Sequence, residues 1–371
     1  MAGKMTHIAV QASILTILLA LHNLPTVISD ETTPIPADKS QIDGWLKANV
    51  KPYSERKSGG SLDPALVTAE NGVEVIRVRK DGSGDFMTVT DAVKSIPAGN
   101  TKRTIVWIGG GEYHEKITIE RTKPFITFYG SPNSMPKLTH AGTASQYGTL
   151  NSATVAAESD YFTAVNIIFV NSAPKPDGKR KGAQAVAMRI TGDKAAFYNC
   201  KFIGFQDTLC DDRGTHFFKD CYIEGTVDFI FGNGKSIYLN TELHLVAGKG
   251  LAVITAQARE TNGADSGYSF VHCTITGSGD TYLGRAWKDR ARVVFAYTNM
   301  GMLVNRAGWS DDFHTERDKT VYYGEYKCMG PGASQAGRVH YAKKLSDAEA
   351  IPFLSLGFIH GATWLLPPHK L

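Results

Sequence analysis

Residues 195–245, AAFYNCKFIGFQDTLCDDRGTHFFKDCYIEGTVDFIFGNGKSIYLNTELHL, repeat one short pattern at nearly constant intervals. The segment Asn199–Phe202 (NCKF) resembles Asp220–Ile223 (DCYI), which begins 21 residues later, and Asn240–Leu243 (NTEL) begins 20 residues after that. His272–Ile275 (HCTI) repeats the pattern again. A period of about 20 to 25 residues with strand–turn–strand content is typical of a solenoid.

The chain from Val73 onward consists of short runs of β-forming residues separated by Gly, Asn and Asp. The runs include Thr104–Ile108, Phe125–Tyr129, Tyr161–Val170, Ala195–Phe202, Phe217–Ile223, Ser236–Leu245, Tyr268–Ile275 and Val293–Tyr297. Few long amphipathic patterns intervene, which disfavours a doubly wound α/β fold. A leucine consensus for a horseshoe repeat is absent. We therefore predict a parallel β-helix whose coils stack on one another, with a β-sandwich or barrel as the alternative.

The composition of the 371-residue chain, 42% hydrophobic and 20% charged, is that of a folded protein. The net charge of +4 is too small to indicate nucleic acid. Residues 1–29 are predicted to be a secretory signal, because Lys4 precedes an apolar run. No later stretch is long enough for a membrane span. Residues 30–72 predict a lead-in, with helical spacing over Asp38–Asn49.

The sequence contains five cysteines, an odd number that leaves at least one unpaired within a monomer. The repeat places Cys200 and Cys221 one coil apart, about 4.8 Å in the hydrogen-bonding direction. That separation is within reach of a disulfide. Two free, buried thiols are the alternative.

Three segments are expected to share one face of consecutive coils: Gln184–Arg189, Gln206–Leu209 and Asp228–Gly232. Gln184 and Gln206 are 22 residues apart, and Asp207 and Asp228 are 21 apart. Neighbouring carboxylates repel each other, so their pKa values should separate and leave one ionised nucleophile beside one protonated acid. Arg285 is a candidate cation for Asp228, and the two amides could donate to an oxyanion. The alternative is that both Asp residues satisfy backbone groups at solenoid turns.

Other catalytic patterns are missing or weak. The sequence has no Gly-x-Ser-x-Gly elbow, no His-Glu-x-x-His and no P-loop. His114, His216, His244 and His272 lack ligand spacing and are expected to be surface or packing residues. The basic segment Pro174–Lys181 is expected to be a solvated loop, with a rim that attracts an acidic polysaccharide as the alternative.

Five separated motifs, in order, resemble those of plant pectin methylesterases (pectinesterases). They are Gly111–Glu115, Gln184–Arg189, Gln206–Leu209, Asp228–Gly232 and Leu283–Trp287. The resemblance covers about Val73–Leu371, and in detail it is greatest with pollen-type members. It implies a right-handed single-stranded parallel β-helix with a short helical N-terminal lead-in, and it makes residues 73–371 the catalytic domain. The expected activity is hydrolysis of pectin methyl esters in a cleft on the outer face.

The resemblance also implies a role for each site residue. Asp228 matches the nucleophile, Asp207 the general acid/base, and Gln184 and Gln206 the groups that hold the oxyanion. Arg285 matches the residue that positions the nucleophile. The expected substrate contacts are Thr149, Gln184, Phe231, Arg285 and Trp287. No metal and no organic cofactor are implied.

The implied partner is pectin, and neither nucleic acid nor a membrane is expected. The protein is expected to be secreted and to act as a monomer in the cell wall. The lead-in is too short for an inhibitor-like pro-region, so a separate inhibitor protein could control the enzyme. Ala286 and Cys210 depart from the usual Pro and Tyr, and Cys210 raises the question of redox sensitivity. A pectin lyase, a polygalacturonase and a non-catalytic polysaccharide-binding solenoid are the competing hypotheses, and the Gln/Asp/Asp/Arg set favours ester hydrolysis.

Overall fold

The computed structural model describes residues 31–246, 250 and 252–371, so the predicted signal at 1–29 lies outside the described residues. The strands are β1 Glu74–Val78, β2 Thr104–Ile108, β3 Gly111–His114, β4 Ile117–Ile119, β5 Ile126–Tyr129, β6 Pro136–His140, β7 Val155–Ala157, β8 Thr163–Val165, β9 Ile168–Asn171, β10 Met188–Ile190, β11 Ala195–Tyr198, β12 Lys201–Ile203, β13 Leu209–Asp211, β14 Thr215–Lys219, β15 Tyr222–Gly225, β16 Val227–Gly232, β17 Lys235–Leu239, β18 Glu242–Leu245, β19 Ala252–Gln257, β20 Gly267–Val271, β21 Thr274–Gly277, β22 Thr281–Arg285, β23 Arg292–Ala296, β24 Asn299–Met300, β25 Trp309–Ser310, β26 Tyr322–Tyr326 and β27 Ala342–Lys344. The α-helices are α1 Ile42–Asn49, α2 Tyr53–Arg56, α3 Pro64–Asn71, α4 Val89–Ser95, α5 Ala144–Tyr147 and α6 Asp347–Ala350.

The strands form three parallel sheets, and successive strands of the coils visit them in turn. Sheet 1 has the order β1-β2-β5-β8-β11-β14-β17-β20-β23-β26-β27, sheet 2 runs from β24 to β3, and sheet 3 runs β25-β22-β19-β16-β13-β10-β7-β4. Inside the helix, Phe197, Phe218, Tyr238, Phe270 and Phe295 stack one ring per coil, with centroids 4.4–4.8 Å apart. This architecture confirms the predicted parallel β-helix and excludes the sandwich or barrel.

Five of the β-rich runs each contain a sharp corner between sheet 1 and sheet 2, so each run forms two strands. The run Ala195–Phe202, for example, is β11 followed by β12. One residue at each of these five corners adopts a left-handed conformation: Asn166, Asn199, Asp220, Asn240 and His272. Asn and Asp tolerate this conformation better than most residues, which explains the Asn/Asp at the start of the repeat. Asn side chains also link the corners, since Asn199 Nδ2 donates to Asn166 Oδ1 at 2.8 Å.

From the Asn199 corner onward, the residue after the left-handed one carries a small side-chain donor. Its thiol or hydroxyl donates to the carbonyl two residues earlier, at 3.2–3.7 Å, in six successive coils. These residues are Cys200, Cys221, Thr241, Cys273, Thr298 and Cys328. All five cysteines are free, so the disulfide considered for Cys200 and Cys221 is not present and the alternative of free, buried thiols is confirmed.

A second apolar core covers the outer face of sheet 1, which is therefore buried on both faces. Along β17, Tyr238 points into the coil while Ile237 and Leu239 pack against the lead-in and the C-terminal segment. The predicted helix of the lead-in is present as α1. Its Ile42 and Trp45 are buried. In the described part of the chain, no helix combines the length and hydropathy that a membrane span needs.

Inside the coil, Asp211 and His216 form a fully buried ion pair, with Oδ1 and Nδ1 2.5 Å apart. The hydroxyl of Tyr238 donates to the other Asp211 oxygen at 2.7 Å, and His216 Nε2 contacts the carbonyl of Gly192 at 2.9 Å. Burial lowers the pKa of His216, but the charge and hydrogen bond of Asp211 outweigh it, so the pKa is raised. His216 is thus a packing residue, as predicted.

We expect His216→Gln to lower the free energy of unfolding by about 3–5 kcal/mol, because it leaves a buried carboxylate without its cation. The raised pKa of His216 also makes this contribution pH-dependent. It is fully present below the ordinary histidine pKa of about 6.5 and is lost as the pH rises through the folded-state value. Thermal unfolding across this range, with the exposed His114→Gln as control, measures both effects. Equal stability of the two variants would contradict the prediction.

Candidate active site

Consecutive coils of sheet 3 bring the predicted segments together on the outer face. The backbone N–H of Ala185 donates to the backbone carbonyl of Gln206 at 3.1 Å, and the backbone N–H of Asp207 donates to the carbonyl of Val227 at 3.1 Å. A cleft of about 440 Å³ opens above them. Every predicted site residue lines it: Thr149, Gln184, Gln206, Asp207, Asp228, Phe231, Arg285 and Trp287.

The two carboxylates occupy unusual backbone positions at the start of their strands. Asp207 and Asp228 have φ values of 66° and 51°. At Asp228 the pairing of β16 with β19 shifts register between Val227 and Ile230, which is a β-bulge. Bulges re-aim side chains, and strained backbone persists where the surroundings fix it. Both side chains consequently face the cleft although both residues are over 90% buried.

Arg285 binds both carboxylate oxygens of Asp228 across an intervening strand. Its Nε lies 2.8 Å from Asp228 Oδ1 and its Nη2 lies 2.6 Å from Oδ2. Strand β19 separates the two strands, and the small Ala256 on it lines the cleft between them. Paired charge-assisted hydrogen bonds of this kind favour the ionised carboxylate. Burial lowers the pKa of Arg285, but its contacts with Asp228 outweigh this and raise it.

Asp207 has a different electrostatic environment. Burial raises its pKa well above the ordinary carboxyl value, the neighbouring charge of Asp228 raises it further, and Arg285 opposes both. No ion pair to Asp207 occurs among the described residues, whereas Asp228 has its arginine. The two carboxyls thus have different surroundings, since Arg285 binds Asp228 through both oxygens while burial raises the pKa of Asp207.

Gln184 and Gln206 add hydrogen-bond donors to the same cleft. Both are partly exposed, and within the described ranges their side-chain amides make no hydrogen bond to protein. Their N–H groups are thus available to a bound molecule. An ionised carboxylate, a protonated carboxyl and two amide donors are the groups needed for acyl transfer through a covalent intermediate.

The other side of the cleft is apolar. The rings of Phe231 and Trp287 lie 6.1 Å apart, centroid to centroid, and the guanidinium of Arg285 lies 5.9 Å from the Trp287 ring. Trp287 is 36% exposed, whereas Phe231 is buried and only 2% exposed. Rings beside polar groups suit a sugar, whose faces are apolar and whose edges are polar.

Sequence reasoning missed two acidic residues at the site. Asp312, with φ 58°, binds Arg285 through Oδ2 and Nη1 at 2.6 Å, and Asp212 lines the cleft. Neither lies in one of the five motifs, and nothing in the sequence spacing marks Asp312. In the described part of the chain, no group of three His, Cys, Asp or Glu side chains is placed to hold a metal ion.

Cys210, which raised the question of redox sensitivity, is fully buried beneath the cleft. It packs in a small cluster with Phe231 and Ala256. Burial raises the pKa of its thiol well above the ordinary value, and the charges of Asp212 and Asp211 act in the same direction. A protonated, inaccessible thiol is a poor nucleophile, so the structure does not support a redox role.

Comparisons with known proteins agree with this geometry. The family described as Pectinesterase matches residues 75–362. Pectinesterase 2 of Olea europaea is 55% identical over 365 residues, covering 98% of each chain. The solved pectin methylesterase from carrot is 34% identical, covers 81% of this chain and 98% of its own, and superposes with a TM-score of 0.73. A pectin methylesterase solved in complex with a hexasaccharide is 27% identical with a TM-score of 0.67, covering 81% of this chain and all of its own.

We predict that Asp207 remains protonated at a pH above the ordinary carboxyl pKa of about 3.9, where an exposed aspartate is ionised. Burial and the charge of Asp228 are the cause. Infrared difference spectra should show a carboxylic acid C=O band at this pH that disappears in Asp207→Asn. The exposed Asp280→Asn is the control and should leave the band unchanged. The absence of any band specific to Asp207 would contradict the prediction.

Proposed function

The chain belongs to the pectinesterase family, and we propose that it demethylesterifies pectin with Asp228 as nucleophile and Asp207 as general acid and base. The protein is a carboxylic ester hydrolase, and pectin is its substrate. The observation that supports the two roles most strongly is the contrast between the carboxyls. Arg285 holds Asp228 through both oxygens, while Asp207 is buried beside it with a raised pKa.

In the first half of the proposed reaction, an oxygen of Asp228 attacks the ester carbonyl carbon. Each carboxylate oxygen has two lone pairs, so the contact with Arg285 leaves one available for attack. The amides of Gln184 and Gln206 donate to the oxyanion that develops on the former carbonyl oxygen. As the C–O bond of the ester breaks, Asp207 gives its proton to the departing methoxide, which leaves as methanol.

The second half regenerates the enzyme. The galacturonosyl group is now bound to Asp228 as an anhydride, and Asp207 is ionised. Asp207 takes a proton from a water molecule, whose oxygen attacks the acyl carbon. The bond to Asp228 breaks, the galacturonic acid that forms releases its proton to solvent and becomes a free carboxylate, and both aspartates return to their initial states. Each turnover therefore adds one negative charge to the polymer.

The polymer itself is proposed to lie along the cleft, with sugar rings against Trp287 and Phe231. Thr149 lines the opposite end and supplies a hydroxyl. The open shape of the cleft suits a chain that continues beyond the reacting residue. The competing hypothesis of a binding solenoid does not account for a protonated and an ionised carboxyl placed side by side, since binding requires no such pair.

We also propose that the protein is exported and acts as a monomer on pectin in the cell wall. The predicted signal at residues 1–29 and the plant relatives that are pectinesterases support export to this location. The open cleft would be accessible to a separate inhibitor protein, which we propose as a second partner. The division into residues 1–29, 30–72 and 73–371 stays a prediction.

The basic loop Pro174–Lys181 is proposed to attract the charged polymer. Lys175 Nζ lies 5.8 Å from the Phe205 ring centre, one residue before Gln206, and the carbonyl of Gly182 accepts from Ser145 N–H at 2.9 Å. The loop therefore borders the Gln184 side of the cleft. Lys179 and Lys181 are exposed, and no ion pair to either occurs among the described residues.

Asp228→Asn should lower methanol release from highly methylated pectin by about a thousandfold or more, because the amide is neutral and a poor nucleophile. The exposed Asp280→Asn should retain wild-type release. Gas chromatography of methanol and size-exclusion of the polymer are the two measurements. Full turnover by a folded Asp228→Asn would overturn the nucleophile assignment, and shorter polymer without methanol would indicate a lyase or glycosidase.

For the basic loop, we expect Lys179→Gln/Lys181→Gln to raise KM for partly demethylated pectin two- to tenfold at low salt, since exposed charge pairs contribute roughly 0.2–1 kcal/mol each. The difference should vanish at high salt, where exposed charges are screened. Lys343→Gln/Lys344→Gln removes the same charge from β27 of sheet 1, away from the cleft. Equal KM values for the two double variants at low salt would contradict the proposal that the basic loop attracts the polymer.

A further inference from the structure

Arg285 binds two carboxylates, and the family reaction accounts for only one of them. Its Nε and Nη2 face Asp228, while its Nη1 lies 2.6 Å from Oδ2 of Asp312. Strand β25, which precedes Asp312, is the neighbour of β22 and pairs Ser310 with Arg285. Asp312 is thus held one rung away from the arginine it contacts.

The turn that carries Asp312 is tightly determined. The hydroxyl of Ser310 accepts from the backbone N–H of Asp312 at 3.1 Å, and Asp311 Oδ1 accepts from that of Phe313 at 3.0 Å. Asp312 and Phe313 are both left-handed, with φ values of 58° and 62°. Two adjacent residues in this conformation are costly, and such strain persists only where the surrounding contacts fix it.

The loop that carries Asp312 is also bound to the segment that carries Trp287. Nη1 of Arg317 donates to the carbonyl of Ala286 at 2.6 Å, and Nε of Arg317 binds Asp289 at 3.0 Å. The backbone after β25 is therefore fixed relative to the cleft by contacts that do not involve Asp312. Loss of the Asp312 carboxylate should leave the loop in place.

A guanidinium can rotate about its side-chain bonds and present different edges to a partner. In its two-point contact with Asp228, Arg285 uses the edge formed by Nε and Nη2, and rotation of the guanidinium would present another edge. A carboxylate on Nη1 opposes rotation, because turning the plane breaks a charge-assisted hydrogen bond. It also offsets part of the arginine charge, which would otherwise attract Asp228 more strongly and make it less nucleophilic.

We propose that Asp312 is a positioning residue for demethylesterification, which holds Arg285 in the orientation that aims Asp228 at the ester carbon. Asp312 has no contact with the substrate in this role and acts through Arg285. The proposal rests on the assignment of Asp228 as nucleophile. Asp312 contacts Arg285 directly, and its charge acts on the buried Tyr323 together with the charges of Arg285 and Arg317.

Asp312→Asn tests the proposal, because it removes the charge while keeping the size of the side chain. We expect kcat to fall about 10- to 100-fold, the range that small misplacement of a reacting group produces, with KM changed less than twofold. Asp312→Glu should recover part of kcat. The matched control is the exposed Asp280→Asn, which leaves Arg285 and the contacts of the Asp312 loop untouched, and it should retain wild-type kcat.

Formate supplies a readout that a purely structural role would not change. In Asp312→Ala, formate can occupy the vacated space beside Nη1, and we expect it to restore kcat in a saturable manner. Wild-type kcat in Asp312→Asn would overturn the proposal. A kcat loss that follows loss of thermal stability and is not rescued by formate would also overturn it, in favour of a structural role. Asp228→Asn, run in parallel, separates failure of this proposal from failure of the nucleophile assignment.

Discussion

The fold depends on one geometric constraint. Each coil has to complete one turn around the axis while advancing along it by one strand spacing. In six successive coils, those of β8, β11, β14, β17, β20 and β23, the chain satisfies this constraint between sheet 1 and sheet 2 with a corner of two residues, one of which is left-handed. The recurring Asn or Asp and the following Cys or Thr therefore reflect one requirement. The first tolerates the left-handed backbone, and the second donates to a corner carbonyl that also accepts a backbone N–H from the preceding coil.

The same constraint creates the site. Residues about 21 positions apart become neighbours in sheet 3, so two aspartates that are distant in sequence lie side by side under repulsion. Regular strands alone would not suffice, because a strand alternates its side chains between the interior and the cleft. The bulge at Asp228 and the left-handed backbone at Asp207 change the direction of the chain locally. Arg285 then distinguishes the two carboxyls by binding only one of them.

The repeat period of the sequence predicted the architecture and four of the eight cleft residues, whereas Thr149 and Phe231 were predicted from the resemblance to pectin methylesterases alone. A period of 20 to 25 residues indicates stacked coils, and stacking places Gln184, Gln206, Asp207 and Asp228 on one face. The corners inside the predicted runs could not be found this way, since a left-handed residue is invisible to periodicity and β propensity. Asp312 was missed for a different reason. It reaches Arg285 through a turn rather than a strand, so its position obeys no spacing.

The lead-in and the C-terminal segment form a strap along the outside of sheet 1. Its apolar cluster includes residues from coils as far apart as Phe125 and Tyr326, and the two segments bind each other where Arg56 donates to the carbonyl of Leu365 at 2.9 Å. A bare solenoid has only nearest-neighbour contacts, so its end coils can fray independently of the middle. A strap that touches most coils at once couples their opening. The chain should therefore melt in a single cooperative transition instead of unravelling from its tips, and a protease would find no loosened terminal coil to cut.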